Sequence, residues 1–418
     1  MHQPVANPFS RYADKIEKKV DRLLRILSYK NRFSIQKKLL VLMQDNLVAV
    51  NLWQEKRFKG YKYLTKGKRN RFYKNTDIII EEFTRYSTNF KFSDKTLFTQ
   101  LSSLGFNPST SEIRTKTKYL YSIMNFLKPG ERYQYLEGAS FGKLLSNITK
   151  EKMIGDCNQI VTFYTFLYSL KYPIRDLQIK LVPGHVCLHF HGIDIEATNG
   201  SFQNYTKYEK ILPIVELIST NLLDTSDFRD KKLKIDARSF VKAAELAHQI
   251  SSHTQIVENN LKAAYHNLAL EASNKHDYAT AKFYAGKIQD PGLRMNIYKN
   301  AVIYHTKNNN FPKARYFASL ANDSELRRYI NEQEGWHHFK NHNYTKARKI
   351  FNRTANKEMV KACYSKEYNE IQKRVSNLRT EDQHRAHKAD YKKMLSLAGK
   401  MGDHKLQENI RNILSQLK

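Results

Sequence analysis

Cysteine is scarce in this sequence of 418 residues, which has three of them, Cys157, Cys187 and Cys363. No two form a C-x-x-C pair, and no cluster of potential ligands surrounds them. A disulfide framework or a structural zinc site needs several cysteines at short spacings. We therefore predict no disulfide, no bound metal and no cofactor, and a reducing compartment would keep each thiol free.

Long apolar runs are also missing. Residues 1–19 lack the basic end followed by an apolar stretch that marks a secretory leader. No run approaches the ~20 apolar residues that span a bilayer. We expect a cytoplasmic protein with no membrane partner.

Acidic residues are few relative to basic ones, with 40 Asp and Glu against 71 Lys and Arg, so that the formal charge is +31. Such an excess attracts polyanions, but it informs on solubility and non-specific binding before it informs on function. Either a functional polyanion contact or a generally basic composition explains it. The apolar fraction of 41% is that of a folded protein, and the length allows two or three domains.

The basic residues are densest in residues 55–74, where nine Lys and Arg are interleaved with five aromatic residues. Basic side chains contact phosphates and aromatic rings stack on bases, so this segment could bind nucleic acid weakly. The residues for that interpretation are Lys66, Lys68, Arg69 and Arg71. A solvated, flexible loop is the alternative, and it is favoured because no RNA-binding fold signature accompanies the segment.

The middle of the chain predicts a buried helix followed by antiparallel strands. GDCNQIVTFYTFLYSLKYP is apolar on nearly every face, which is typical of a buried helix, and Pro173 ends it. LQIKLV predicts a strand, and the alternation in HVCLHFHGIDIEAT predicts a hairpin with His-Gly at its tip. A two-residue turn pairs His189 with Asp194 and leaves Glu196 diagonal to His185, within side-chain reach.

Cys157 and His185 are the candidate reactive residues of this region. Cys157 falls in the first turn of the predicted helix, where the helix dipole favours the thiolate, the form that attacks carbonyls. His185 begins a strand and could act as the base. Asp194 and Glu196 are both candidates for the acid that orients it. The alternatives are a packing role for Cys157 and a metal site that uses the alternating histidines, although nothing else in the sequence indicates iron or zinc.

The segments GDCNQ, PGHVCLHF and IEATNG occur in this order. In that arrangement the chain resembles the transglutaminase-like (papain-like) cysteine superfamily, above all the bacterial transglutaminase-like proteins with C-terminal tetratricopeptide repeats. The resemblance implies Cys157 as nucleophile, His185 as base and Glu196 as orienting acid, acting on a protein or peptide substrate. Two departures concern the acid, because Glu196 stands where the family has Asp and Ala197 stands where Pro is common.

Helical repeats are predicted in the C-terminal part of the chain. HDYATAKFYAGKI, NNFPKARYFASLA and HNYTKARKIFNRT align so that Tyr278, Phe311 and Tyr344 lie 33 residues apart. The pattern resembles the tetratricopeptide unit, whose usual period is about 34 residues. Such arrays bind peptide or protein partners. An irregular helical bundle is the alternative.

These patterns together predict an α+β protein in three parts. A basic helical region covers residues 1–115, a transglutaminase-like cysteine core covers 116–235, and tetratricopeptide-like repeats cover 236–418. The predicted function is a cysteine-dependent hydrolase or acyltransferase for amides or thioesters, of protease, deamidase or transglutaminase type. The alternative is a catalytically inactive transglutaminase-like interaction scaffold, associated with nucleic acid through its basic N-terminal region.

Overall fold

The computed structural model describes residues 3–5, 7, 9–146, 152–206, 210–224 and 236–417. Within them the protein belongs to the α+β class, with nineteen α-helices and seven short strands. The chain divides into two compact units, Met1–Leu268 and Ala269–Lys418. The division into three parts expected from the sequence stays a prediction. Among the helices of the described residues, none has the length and apolar character needed to cross a membrane.

Short polar side chains begin most helices of the first unit, because Asp, Ser and Thr accept the free backbone N–H groups of the first turn. These helices are α1 (Lys15–Arg25), α2 (Arg32–Arg57), α3 (Lys66–Asn89), α4 (Asp94–Ser103), α5 (Ser111–Phe126), α6 (Phe141–Leu144), α7 (Cys157–Ser169), α8 (Leu217–Leu223) and α9 (Ala237–Ile250). The next helix, α10 (Thr254–Asn274), contains the boundary between the units.

Two sheets lie in the first unit. The strands are β1 (Tyr133–Tyr135), β2 (Met153–Gly155), β3 (Gln178–Val182), β4 (His185–Phe190), β5 (Ile193–Glu196), β6 (Ser201–Gln203) and β7 (Lys210–Pro213). The strands β1 and β2 form a parallel pair. The other five form an antiparallel sheet in the order β6-β5-β4-β3-β7, so the hairpin β4–β5 is not at the edge.

The hairpin has the predicted register. His191 and Gly192 form its two-residue turn with φ values of 49° and 97°, which both lie in the left-handed region that such turns require. His189 is opposite Asp194, as expected from the sequence. Every residue of β5 is buried, so a slip by one position would exchange its apolar and polar residues between two packed faces.

The helix α7 is the central element of the first unit's core. It contacts β4, α2 and α5, and Ile160, Phe163 and Leu167 are fully buried on it. Burial of each such side chain contributes about 1.5–3 kcal/mol to folding. The helix ends at Ser169, before Pro173, so the predicted buried helix is confirmed.

The expectation of a flexible loop in residues 55–74 is wrong for residues 55–57 and 66–74, which are helical. The helix α3 starts within the segment at Lys66, where Thr65 caps it by accepting the N–H of Lys68. Phe72 and Tyr73 are buried, because helical spacing places them on the core face together with Arg69. Their rings are therefore not surface stacking faces.

Arg69 is an internal structural residue of the first unit. Its Nε lies 2.7 Å from Oε1 of Glu17, and both side chains are almost fully buried. The guanidinium also donates to the carbonyl oxygens of Leu64 and Arg11. In this conformation it does not reach a polyanion at the surface.

The described part of the second unit is helical throughout. Its helices are α11 (Tyr278–Ile288), α12 (Pro291–Lys307), α13 (Phe311–Ala321), α14 (Ser324–Lys340), α15 (Tyr344–Arg353), α16 (Lys357–Val375), α17 (Glu381–Ala386), α18 (Lys388–Met401) and α19 (His404–Gln416). The helices α11, α13 and α15 begin 33 residues apart, and so do the helices α12, α14 and α16.

The same period appears in the backbone geometry. His276, Asn309 and His342 all have a positive φ. Each precedes an Asp or Asn that caps the next helix. The repeated alanines in the second helix of each pair are fully buried, so close helix packing explains their recurrence.

Candidate active site

The first turn of α7 is fixed by a reciprocal cap. The side chain of Asp156 accepts the N–H of Asn158 at 2.9 Å, and the N–H of Asp156 donates to Oε1 of Gln159 at 2.8 Å. Cys157 is the first helical residue, and its thiol is partly exposed. Its backbone N–H has no acceptor inside the helix, so it can stabilise negative charge that develops beside the thiol.

His185 contacts Cys157 and Glu196 at once. Its Nε2 lies 2.7 Å from Oε2 of Glu196, and the ring lines the same cavity as Cys157, whose thiol interacts with it and raises its pKa. Because Nε2 faces the carboxylate, Nδ1 is the nitrogen left for the sulfur. The hydrogen bonds with Cys157 and with Glu196 outweigh burial and raise the pKa of His185 to about 10. The imidazole is therefore protonated at neutral pH.

Glu196 is held by hydrogen bonds to both of its oxygens. Oε2 accepts from His185 and from the hydroxyl of Tyr205 at 2.9 Å, and Oε1 accepts from the N–H of Thr198 at 3.1 Å and from its hydroxyl. Burial raises the pKa of Glu196, but the bonds from His185 and Thr198 more than offset this and hold it below its usual value. The carboxylate is thus ionised and can balance the charge of the imidazolium.

Asp194, the other candidate acid, serves a different histidine. Its Oδ1 lies 2.6 Å from Nδ1 of His189, and its Oδ2 lies 2.7 Å from Nζ of Lys180. The N–H of Gly192 donates to Nε2 of His189, so both ring nitrogens of His189 are engaged within the hairpin. The two acids share one face of β5, but Asp194 is directly opposite His189, whereas Glu196 extends towards His185.

Tyr205 and Thr198 are the site residues that the sequence analysis missed. Thr198 follows the acid by two residues and bonds it through both backbone and hydroxyl, which is a common local motif and was open to prediction. Tyr205 lies after β6, and no local pattern connects it with Glu196. Only the packing of the sheet brings the two together.

A cavity of about 510 Å³ opens beside Cys157 and His185. This volume lies in the range of pockets that hold a small molecule or a few side chains of a peptide. Its apolar lining includes Tyr135, Leu181, Leu212, Leu223, Ile256 and Val257. The thiol and the imidazole therefore face a space that can admit an acyl group.

The histidines on β4 bind separate carboxylates. Within the described residues, no group of three or more His, Cys, Asp and Glu is arranged to hold a metal ion. His185 and His189 are each engaged with a separate carboxylate, and His191 belongs to the turn. The alternation of His185 and His189 follows from their position on one face of a strand.

Comparison of the chain with protein-family models, with curated proteins and with solved structures gives no match. The chemistry of the site is therefore the basis for a function.

Proposed function

We propose that the protein is a cysteine-dependent acyl-transfer enzyme of transglutaminase-like type. The observation that carries the proposal is that His185, whose Nε2 is bonded to Glu196, lines one cavity with Cys157 and has its pKa raised by both residues. This is the order of nucleophile, base and orienting acid that activates a thiol for attack on a carbonyl. The substrate is an amide or thioester of a protein or peptide.

The first half-reaction forms an acyl-enzyme. The Cys157 thiolate attacks the carbonyl carbon, a C–S bond forms and the carbonyl electron pair moves onto oxygen. The backbone N–H at the start of α7 stabilises this oxyanion. As the tetrahedral intermediate collapses, the C–N bond breaks and Nδ1 of His185 gives its proton to the leaving amine. Glu196 stays ionised and stabilises the imidazolium until that transfer.

The second half-reaction releases the acyl group. Nδ1 of His185, now unprotonated, takes a proton from water or from an amine as that molecule attacks the thioester carbon. The C–S bond then breaks, and the thiolate and the imidazolium are restored. Attack by water makes the enzyme a protease or a deamidase, and attack by an amine makes it a transglutaminase.

The second unit is proposed as a tetratricopeptide-like array that binds a protein or peptide partner. The 33-residue period of its helix pairs and of their caps supports this assignment. A reducing compartment such as the cytoplasm would keep Cys157 available as a free thiol.

Acylation by a generic donor tests the proposal. With p-nitrophenyl acetate at pH 7, we expect mass spectrometry to find the acetyl group mainly on Cys157. Cys157→Ala should abolish this modification, and His185→Gln should slow it strongly. Cys363→Ala is the matched control, because Cys363 is fully buried and burial raises its pKa to about 11.

A different pattern of acetylation would contradict the proposal. Acetylation spread over cysteines and lysines, with a rate that His185→Gln leaves unchanged, would show that the thiol is not activated. The chain would then be better described as a catalytically inactive interaction scaffold.

A further inference from the structure

A buried polar cluster next to the candidate triad has no part in the mechanism above. It consists of Lys180 on β3, His189 on β4 and Asp194 on β5, and the side chains of Lys180 and Asp194 are 3% and 1% exposed. Desolvation of two charges largely cancels their attraction, so a buried ion pair contributes little net stability. The role of the cluster therefore lies in the groups that it holds in place.

The cluster fixes the backbone of Tyr205. The N–H of Tyr205 donates to Oδ2 of Asp194 at 2.8 Å, and Nζ of Lys180 donates to the carbonyl oxygen of Tyr205 at 2.6 Å. Asp194 and Lys180, the two members of one ion pair, thus bind the backbone N–H and the backbone carbonyl oxygen of Tyr205. His189 occupies the remaining oxygen of Asp194, which keeps the carboxylate from turning away.

The side chain of Tyr205 extends from this anchored backbone to the triad. Its hydroxyl donates to Oε2 of Glu196, the same oxygen that contacts His185. Burial and the bond to Glu196 both raise the pKa of Tyr205, so the hydroxyl keeps its proton and remains a donor. Thr198 holds the other oxygen of the carboxylate. Glu196 is therefore restrained at both oxygens, one of them through Tyr205.

We propose that Tyr205 is a positioning residue which aims the Glu196 carboxylate at His185, and that Lys180, Asp194 and His189 act on the triad by anchoring Tyr205. This inference rests on the proposed function, since its effect is read at Cys157 and His185. Removal of the hydroxyl frees Oε2 to turn away from the imidazole. The imidazolium then loses support, and the thiolate loses its counter-ion.

The surroundings of His185 limit which groups can cause such an effect. The titratable groups against it are Cys157 on α7, Glu196 on β5 and, through Glu196, Tyr205 and Tyr164. The cavity beside it adds His253 and the carboxylates of Glu137, Asp156, Glu216 and Asp224. None of the substitutions below alters these cavity groups.

The test compares Tyr205→Phe with wild type by two measurements. One is the rate at which iodoacetamide alkylates Cys157 at pH 7, and the other is the pH midpoint of the His185 imidazole signal in NMR. We expect the midpoint to drop by about one pH unit, the size of one hydrogen bond to a charged group, and alkylation to become slower. Tyr119→Phe is the matched control, because its hydroxyl bonds the carbonyl of Leu167, and neither readout should change.

A double-mutant cycle tests the anchoring step. Asp194→Asn should reduce Cys157 alkylation in the wild-type background and have little further effect in Tyr205→Phe, because both changes act through one hydroxyl. Where Asp194→Asn does not fold, His189→Gln takes its place in the cycle. Additive effects would mean that the cluster acts independently of Tyr205 and would overturn the anchoring role.

Two other results would overturn the positioning role of Tyr205. An unchanged His185 midpoint in a folded Tyr205→Phe protein would leave Tyr205 with a packing role only. An upward shift would show that the hydroxyl competes with His185 for the carboxylate. Failure of the proposed function looks different, since His185→Gln would then leave Cys157 alkylation unchanged in the parent protein.

Discussion

At the scale of single residues, the titration of His185 reports on the whole candidate triad. Its hydrogen bonds with Cys157 and with Glu196 raise its pKa to about 10, against an ordinary value of 6.5. We expect its NMR signal, assigned by its loss in His185→Gln, to titrate near pH 10. Glu196→Gln should move the midpoint towards 6.5, because an amide does not balance the imidazolium charge. A midpoint near 6.5 in the wild type would contradict the triad geometry.

The same shift predicts how stability depends on pH. Since the pKa of His185 is higher in the folded than in the unfolded protein, the stabilisation is fully present below pH 6.5 and is lost as pH rises through about 10. The urea midpoint of the wild type should therefore fall across this range more than that of His185→Gln. Equal falls in the two proteins would contradict the prediction.

The two acids of β5 should separate by function. Glu196→Gln should lower acetyl turnover at Cys157 by roughly 10²- to 10⁴-fold, as loss of an orienting acid does, while leaving the fold intact. Asp194→Asn should lower turnover far less but cost about 3–5 kcal/mol of stability, because it leaves Lys180 buried without its counter-ion. Turnover and urea denaturation measure the two effects. The reverse ranking for turnover would assign the functional role to Asp194 and His189.

Arg69 and Lys68 are neighbours in the basic segment, but Arg69 is buried and Lys68 is exposed. Their substitutions should therefore differ in their effect on stability. Arg69→Ala should reduce the free energy of unfolding by about 3–5 kcal/mol, because Glu17 would remain buried without a cation. Lys68 is its exposed neighbour, and Lys68→Ala should stay within about 0.5 kcal/mol of wild type. Urea denaturation measures both variants. Similar small losses for the two would show that Arg69 is not buried as described.

At the scale of elements, two helical glycines of the second unit should respond to substitution by alanine with opposite changes in stability. A Cβ at Gly335 of α14 would lie 2.7 Å from the ring of Phe351, whereas a Cβ at Gly286 of α11 would meet nothing within 4 Å. Gly335→Ala should therefore destabilise the unit by about 1–3 kcal/mol through overpacking. Gly286→Ala should stabilise it by up to about 1 kcal/mol, since alanine favours the helix. Thermal denaturation of the two variants checks the signs, and equal signs would contradict the packing described.

At the scale of the whole molecule, the charge of +31 predicts weak, salt-sensitive binding of single-stranded RNA. If the basic segment contributes, replacing Lys66, Lys68 and Arg71 with Ser should reduce the slope of log affinity against log salt by about one for each lost phosphate contact. Fluorescence anisotropy with labelled oligouridine measures the slope.

The control for this experiment replaces three exposed lysines of the second unit, Lys349, Lys357 and Lys361, with Ser. Equal changes in the two triple variants would assign the binding to net charge and not to the segment. Arg69 is left out of both variants because its substitution should affect stability.

Local patterns in the sequence determined several parts of this protein. The apolar run after Cys157 specified a buried helix, His-Gly specified the two-residue turn, and the turn set the register of His189 against Asp194. The 33-residue period specified where the paired helices begin. The helix and the turn depend on residues a few positions apart, and the repeat depends on recurrence of the same pattern, so propensity, turn geometry and periodicity were sufficient.

Tertiary packing alone decided the rest. Lys180 meets the backbone of Tyr205 across 25 residues, and Arg69 meets Glu17 across 52. The sequence alone does not show whether a basic residue faces solvent or a buried carboxylate. Its environment is set by elements that are distant in the chain and pack against it in the fold. For that reason the sequence could identify Cys157, His185 and Glu196 as candidates, while the support of Glu196 by Tyr205 and the burial of Arg69 became visible only in the folded protein.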